Sequence, residues 1–223
     1  MLRPRPPAAE PVLTLTLITP PIKISTRIGA YHVKVLNSWL YYVGAQLSAA
    51  AAARDWSLPT HLRIAQVREL LGIAKAPSSA QYIFDYLVAD PRNKVVIFCI
   101  HRSSLNMMRQ YLWSFGARIL YAGTGEAKRN RIVKDFQTKH DKQVLVCQSK
   151  VAGLDLTLTA AGLVFILEPS WIPEDNYKAI TRVYRPGQRH HVTAVFAGLP
   201  DTADAEVSEA LMHDAQMIAD IFG

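Results

Sequence analysis

At 223 residues the chain holds one sizeable domain, or a domain with an appendage; half its residues are hydrophobic and 19% are charged, which excludes a disordered chain. Lys and Arg number 25 against 18 Asp and Glu, so the formal charge of +7 suits a polyanionic partner without proving one. Only Cys99 and Cys147 occur, both inside apolar runs, which excludes a disulfide scaffold and reads as reduced core thiols of an intracellular protein. Cys99-x-His101 could begin a metal site, but no second Cys/His pair has a suitable spacing, so no metal is expected.

Residues 1–60 differ in composition from the rest. Leu2 to Pro11 is proline-rich, and Arg3 and Arg5 have no apolar core behind them, so a signal peptide is not expected. Val12-Leu-Thr-Leu-Thr-Leu-Ile18 alternates as a half-buried strand does, closed by Pro20-Pro21. Tyr31 to Ala53 reads as a helix. Its uncharged part, Val35 to Ala53, has roughly the length of a bilayer span, yet Asn37, Ser38, Gly44, Gln46, Ser48 and the alanines lower its insertion tendency. A buried or partner-facing helix is the reading; no membrane association is expected.

Pro59-Thr60 opens a helix that Gly72 ends, and Pro77 begins another that Asp90-Pro91 ends. From Lys94 strands and helices alternate. Val95 to Ile100 is an uninterrupted apolar run, as in a strand buried on both faces of a parallel sheet. A helix with Leu105, Met108, Leu112 and Phe115 follows, then a strand over Ala117–Tyr121 and a helix over Glu126–Gln137. Gln143–Gln148 and Leu163–Leu167 are strands, His191–Phe196 is the last, and Thr202–Phe222 is a closing helix with Val207, Leu211, Ile218 and Ile221 inward. This pattern predicts an α/β fold: an open, mostly parallel sheet with helices on both faces and a helical or irregular N-terminal extension. The expected divisions are 1–60 for the extension, 61–200 for the sheet domain and 201–223 for the C-terminal helix. Ligands of such folds bind at the carboxyl ends of the strands, where His101-Arg102, Gly123-Thr-Gly125, Ser149 to Thr157 and Glu168 to Pro173 lie.

One stretch stands out: Lys178-Ala-Ile-Thr-Arg182-Val-Tyr-Arg185-Pro186-Gly187-Gln188. On a helix running from about Glu174 to Arg185, Lys178, Arg182 and Arg185 fall within about 60° of one another. Tyr177, Ile180, Val183 and Tyr184 take the opposite, buried side, and Pro186-Gly187 stops the helix. Guanidinium forks so held suit a phosphate that gains charge during transfer. The bland alternative is a solvated basic face.

Taken together, these segments resemble the second RecA-like lobe of superfamily 2 helicases, in particular the Swi/Snf-type helicase-like ATPases and their annealing-helicase-like branch. The resemblance runs from about Ile64 to Phe196. Gly72-Ile-Ala-Lys75 is similar to the entry of that lobe, Val95 to Arg102 to motif IV, and Gly123-Thr124 with Arg129 and Phe136 to the element after it. Ser149-Lys-Val-Ala-Gly153-Leu-Asp155-Leu-Thr157 resembles motif V, Glu168-Pro-Ser-Trp171-Ile-Pro173 the family's acidic-Pro-x-Trp-Asn-Pro turn, and Lys178 to Gln188 motif VI. Lys178 stands where the family usually has glutamine, and Ile172 where it has asparagine.

The resemblance implies roles. Arg182 and Arg185 would be the catalytic arginines, touching ATP from across a cleft between two lobes. Gly153, Asp155 and Gln188 would complete the ATP-binding set. His101, Arg102, Thr124, Ser149, Lys150 and Thr157 would meet the nucleic-acid backbone, with a turn role for Thr124 equally open. Trp171 is read as a packing residue before a base-stacking one. No Gly-x-x-x-x-Gly-Lys-Ser/Thr loop and no magnesium-holding Asp-Glu strand end occur in these residues. ATP and Mg2+ are therefore expected only in complex with a separately encoded N-terminal helicase lobe, and hydrolysis only in that pair. The implied function is half of a DNA-dependent ATPase, helicase or DNA translocase acting on duplex or forked DNA, in the cytoplasm, on the nucleoid, or in a host cytoplasm if phage-encoded. A non-catalytic DNA-binding module and an inactive remnant of a split helicase gene are the alternatives.

Overall fold

A computed structural model describes residues 12–18, 60–199 and 203–222. The helix expected over Tyr31–Ala53 and the proline-rich Leu2–Pro11 fall outside the described residues. Six strands form one sheet: β1 (Leu13–Ile18), β2 (Val95–Cys99), β3 (Arg118–Leu120), β4 (Val144–Gln148), β5 (Leu163–Ile166) and β6 (Val192–Ala197), in the spatial order β1-β6-β5-β2-β4-β3. Every pairing is parallel, so the sheet is wholly rather than mostly parallel. The helices are α1 (Thr60–Ala89), α2 (Arg102–Tyr111), α3 (Glu126–Thr138), α4 (Pro173–Ile180) and α5 (Ala203–Phe222).

The alternation of strand side chains divides the core. Val95, Ile97 and Cys99 of β2 face one layer with Ile83 and Leu87 of α1 and Leu105 and Met108 of α2. Val96 and Phe98 face the other, with Phe136 of α3, Ala179 and Ile180 of α4 and Ala215 of α5. Cys99 and Cys147 thus sit on opposite faces of the sheet, both buried and free, and burial pushes both thiol pKa values up. β1, which lies inside the expected extension, pairs in register with β6 from Leu13↔Val192 to Ile18↔Ala197 and is an edge strand of the same sheet.

Two expectations fail at α1. Gly72 does not end a helix and Pro77 does not begin one; a single helix of 30 residues runs through both. Pro77 removes one helical hydrogen bond, and burial of Ala74, Lys75, Ala76, Ser79, Ala80 and Ile83 around it carries the helix through. Lys75 anchors it: Nζ donates to the Ala197 carbonyl at 2.9 Å and pairs with Asp204 of α5 at 3.0 Å. In α5 the inward face is Ser208, Leu211 and Ala215, whereas Val207 is exposed, because the small residues let the helix approach β6.

Gly72 has a different purpose. A Cβ there would lie 2.0 Å from Oε1 of Glu168 and 2.6 Å from Oγ of Ser104. Glu168, 4% exposed, follows β5, and its carboxylate collects four hydrogen bonds. Oε2 accepts from the backbone N–H of Ile100 at 2.7 Å and of His101 at 2.9 Å. Oε1 accepts from Ser104 Oγ at 3.0 Å and meets His101 Nδ1 at 2.8 Å. The carboxylate cannot move aside without leaving these donors unpaired. Gly→Ala inside a helix usually stabilises by up to about 1 kcal/mol; here Gly72→Ala is expected to destabilise by about 1–3 kcal/mol. Urea unfolding followed by circular dichroism reads the sign, and a stabilised variant would remove the close approach.

Candidate functional site

All six strands point the same way, so their carboxyl ends share one edge of the sheet. His101 and Arg102 leave β2 there, Tyr121 to Thr124 leave β3, Ser149 and Lys150 leave β4, and Glu168 to Ile172 leave β5. His101 is held to Glu168, and the Arg102 guanidinium lies over the Tyr121 ring at 4.9 Å. Ser149 Oγ donates to the Cys99 carbonyl at 3.2 Å, while Lys150 is exposed. Thr124 is buried: its N–H donates to the Tyr121 carbonyl at 2.8 Å and its Oγ1 accepts from the Tyr121 N–H at 3.2 Å. The structure thus places the Thr124 side chain in the turn. Trp171 is 53% exposed, with the Arg68 guanidinium 4.5 Å from its ring centre. Arg68 also donates to the Pro169 carbonyl at 2.6 Å, and its burial pushes its pKa down.

The arginine pair sits apart from that edge, on two return segments that run side by side. One follows the short 3-10 turn Ser149–Gly153 and the other follows α4, and the Leu158 N–H joins them by donating to the Arg182 carbonyl at 2.8 Å. The expected helix to Arg185 ends at Ile180. Beyond it the bonds tighten: Arg182 N–H donates to Ala179 O and Val183 N–H to Ile180 O, three residues back. Tyr184 N–H still bonds four residues back, to Ile180 O, but Arg182 O is taken by Leu158 N–H, so the helix is not continued to Arg185. Lys178 faces Asp175 at 4.0 Å, so the three-cation stripe is a pair.

Both arginines converge on Asp155. Arg182 Nη1 lies 3.3 Å and Arg185 Nη1 3.1 Å from the same oxygen, Oδ1, of a carboxylate that is 85% exposed. Arg185 Nη1 also donates to the Leu156 carbonyl at 3.0 Å and to Thr157 Oγ1 at 3.1 Å. Thr157, expected on the nucleic-acid track, therefore belongs with the arginines. The Arg182 Nε–H is buried without a partner. Gly153 stands beside this group with open space where a Cβ would be.

Gln188 is different. It is buried, its amide donates to the Ala161 and Val183 carbonyls at 3.0 Å, and its carbonyl accepts from the backbone N–H groups of Arg189 and His190. Its side chain holds the return segment rather than reaching the arginine site.

Two guanidiniums on one exposed carboxylate oxygen form a donor set fitted to an oxyanion such as a phosphate. Among the described residues no three His, Cys, Asp or Glu side chains gather as a metal requires. No helix of the described residues is long and apolar enough to cross a membrane. The sequence marks Glu168 only as the first residue of the Glu168–Pro173 turn; its partners lie about 65–100 positions away, so no local pattern shows its buried bonds.

Residues 78–187 match the helicase conserved C-terminal domain family. The rice SNF2 domain-containing protein ENL1 is 36% identical over 108 residues, which is 48% of this chain and 11% of that protein. The mouse DNA excision repair protein ERCC-6-like 2 is 31% identical over 99 residues, 44% of this chain and 6% of that protein. The chain thus matches only a small part of these relatives' length. Among solved structures, the Sulfolobus solfataricus SWI2/SNF2 ATPase core in complex with dsDNA superposes with a TM-score of 0.59 at 15% identity, covering 94% of this chain and 45% of that one.

Asp155 is exposed, so its ion pairs contribute little to folding. Asp155→Ala is expected to change unfolding free energy by less than about 1 kcal/mol, measured by urea titration. A larger loss would make Asp155 a structural residue rather than an exchangeable anion.

Proposed function

The chain carries the C-terminal RecA-like lobe of a Swi/Snf-type helicase, and from that premise we propose that it is one half of a DNA-dependent ATPase that moves along or remodels duplex DNA. The observation that carries the reading is the convergence of Arg182 and Arg185 on one exposed carboxylate. A lobe of this kind does not hold the β- and γ-phosphates itself, and no phosphate-loop motif occurs in these 223 residues. A first lobe supplied by a partner in trans would bind the nucleotide and its magnesium. Arg182 and Arg185 then face the phosphates, exchange Asp155 for phosphate oxygens, and stabilise the charge that builds during transfer.

The basic balance of the chain and the exposed Arg102 and Lys150 at the carboxyl edge support a DNA backbone as the second ligand. The dsDNA named with the Sulfolobus structure points the same way. Such contacts read charge and shape, so binding would be independent of sequence and steeply dependent on salt.

Purified alone, the chain is expected to hydrolyse no ATP above background in a coupled assay with duplex DNA; turnover by the single chain would overturn the two-lobe reading. Affinity purification followed by mass spectrometry identifies the partner, whose mark is a phosphate-binding loop. In the reconstituted pair, Arg185→Lys should lower kcat by roughly 100-fold or more while DNA affinity changes less than about 2-fold, since lysine keeps the charge but not the fork of donors. Equal loss of both would place Arg185 in DNA binding.

A further inference from the structure

A cavity of about 250 Å3 opens over the free edge of β3, between α2 on one face of the sheet and α3 on the other. Arg102 and Arg109 line it from α2, Arg118 from β3 and Lys128 from α3, and no carboxylate lines it. All four are exposed, and among the described residues none forms an ion pair. Arg118 gives one weak hydrogen bond, to the Ala117 carbonyl at 3.3 Å, and Arg102 rests on Tyr121. The remaining donors face solvent.

A cation on an edge strand can simply discourage strand-to-strand aggregation, and that accounts for Arg118. It does not account for cations brought to the same cavity from helices on opposite faces of the sheet. Like charges so gathered repel, and among the described residues no carboxylate lines the cavity to offset the repulsion. A bound polyanion would.

The dimensions favour a nucleic-acid backbone. Arg102 and Arg109 are seven residues apart on one helix, about 10 Å. Successive phosphates of a B-DNA strand rise about 3.4 Å along the helix axis and lie farther apart along the winding strand, so the groove is long enough to meet more than one phosphate. Its upper end is Arg102, at the carboxyl edge of the sheet, so groove and edge are continuous. We infer that Arg109, Arg118 and Lys128 form a phosphodiester-binding groove along the β3 edge, which extends the nucleic-acid track from the carboxyl edge down the side of the lobe. This rests on the DNA-binding reading above and adds residues that the motif series does not contain.

The test is the salt dependence of duplex binding by the full chain, read by fluorescence anisotropy between about 50 and 200 mM salt. The double variant Arg109→Gln/Arg118→Gln should flatten the plot of log affinity against log salt by about 0.9 for each lost phosphate contact, close to 1.8 for both. Arg109→Lys/Arg118→Lys keeps both charges and should keep the slope. Lys134→Gln/Arg189→Gln removes the same charge outside the groove and should leave the slope unchanged. Thermal unfolding by circular dichroism confirms that each variant is folded. Equal slopes for the groove and control variants, with wild-type binding intact, would overturn the groove alone. No DNA binding by the wild-type chain would overturn the DNA reading and the groove together. A chain that ignores DNA but binds a glutamate-rich peptide through Arg109 and Arg118 would assign the groove to a protein partner and overturn it as well.

Discussion

The buried carboxylate of Glu168 is the constraint on which the carboxyl edge of the lobe depends. A charge 4% exposed is costly unless it is fully bonded, and here each oxygen has two partners. Two of those partners are backbone N–H groups at the exit of β2, where the strand has ended and α2 has not begun its own ladder. The carboxylate therefore joins β5 to the β2–α2 turn and sets where His101 and Arg102 emerge. Gly72 lets α1 close against the same atoms, which seats Arg68 beside Pro169 and Trp171. One side chain thus ties two loops and the helix α1 together at the surface expected to meet nucleic acid.

Asp155 is a carboxylate of the opposite kind. It is 85% exposed, and it holds two arginines through one oxygen. Water screens such a pair, so it stabilises the fold little and can be exchanged for another anion at little cost. The arginines themselves are kept in register by the bonded frame behind them: Leu158 N–H on the Arg182 carbonyl, Leu156 O and Thr157 on Arg185, and the buried amide of Gln188 closing the segment. A rigid frame carrying a replaceable counter-ion is the arrangement that a nucleotide held by another lobe would need.

Much of this was legible in the chain. Apolar runs such as Val95–Ile100 and the regular strand–helix alternation specify a parallel sheet, because only a strand covered on both faces is apolar at every position. The motif series singled out Arg182, Arg185 and Asp155, which the fold brings together, whereas Thr157, expected on the nucleic-acid track, lies against Arg185. Local signals misled where tertiary burial outweighed them. Gly72 and Pro77 are helix punctuation by propensity, yet both lie inside α1, since packing around them contributes more than the propensity costs. Val207 fitted an apolar stripe in α5, but the face that turns inward is the one with small residues.

The sequence by itself determined the layered α/β architecture, the order of its elements and the identity of the arginine pair, because these rest on periodicity and on residue types in fixed succession. Only the tertiary structure decided what those residues touch. Nothing in the chain announces that Glu168 is buried against Gly72, that the helix stops at Ile180 and Arg182 and Arg185 meet on Asp155, or that Gln188 faces inward. Nor does it announce that arginines and a lysine from α2, β3 and α3 meet over one strand edge. Each of these contacts joins positions distant in sequence, and the distance between them is set by how helices pack on the two faces of a sheet, which no local pattern encodes.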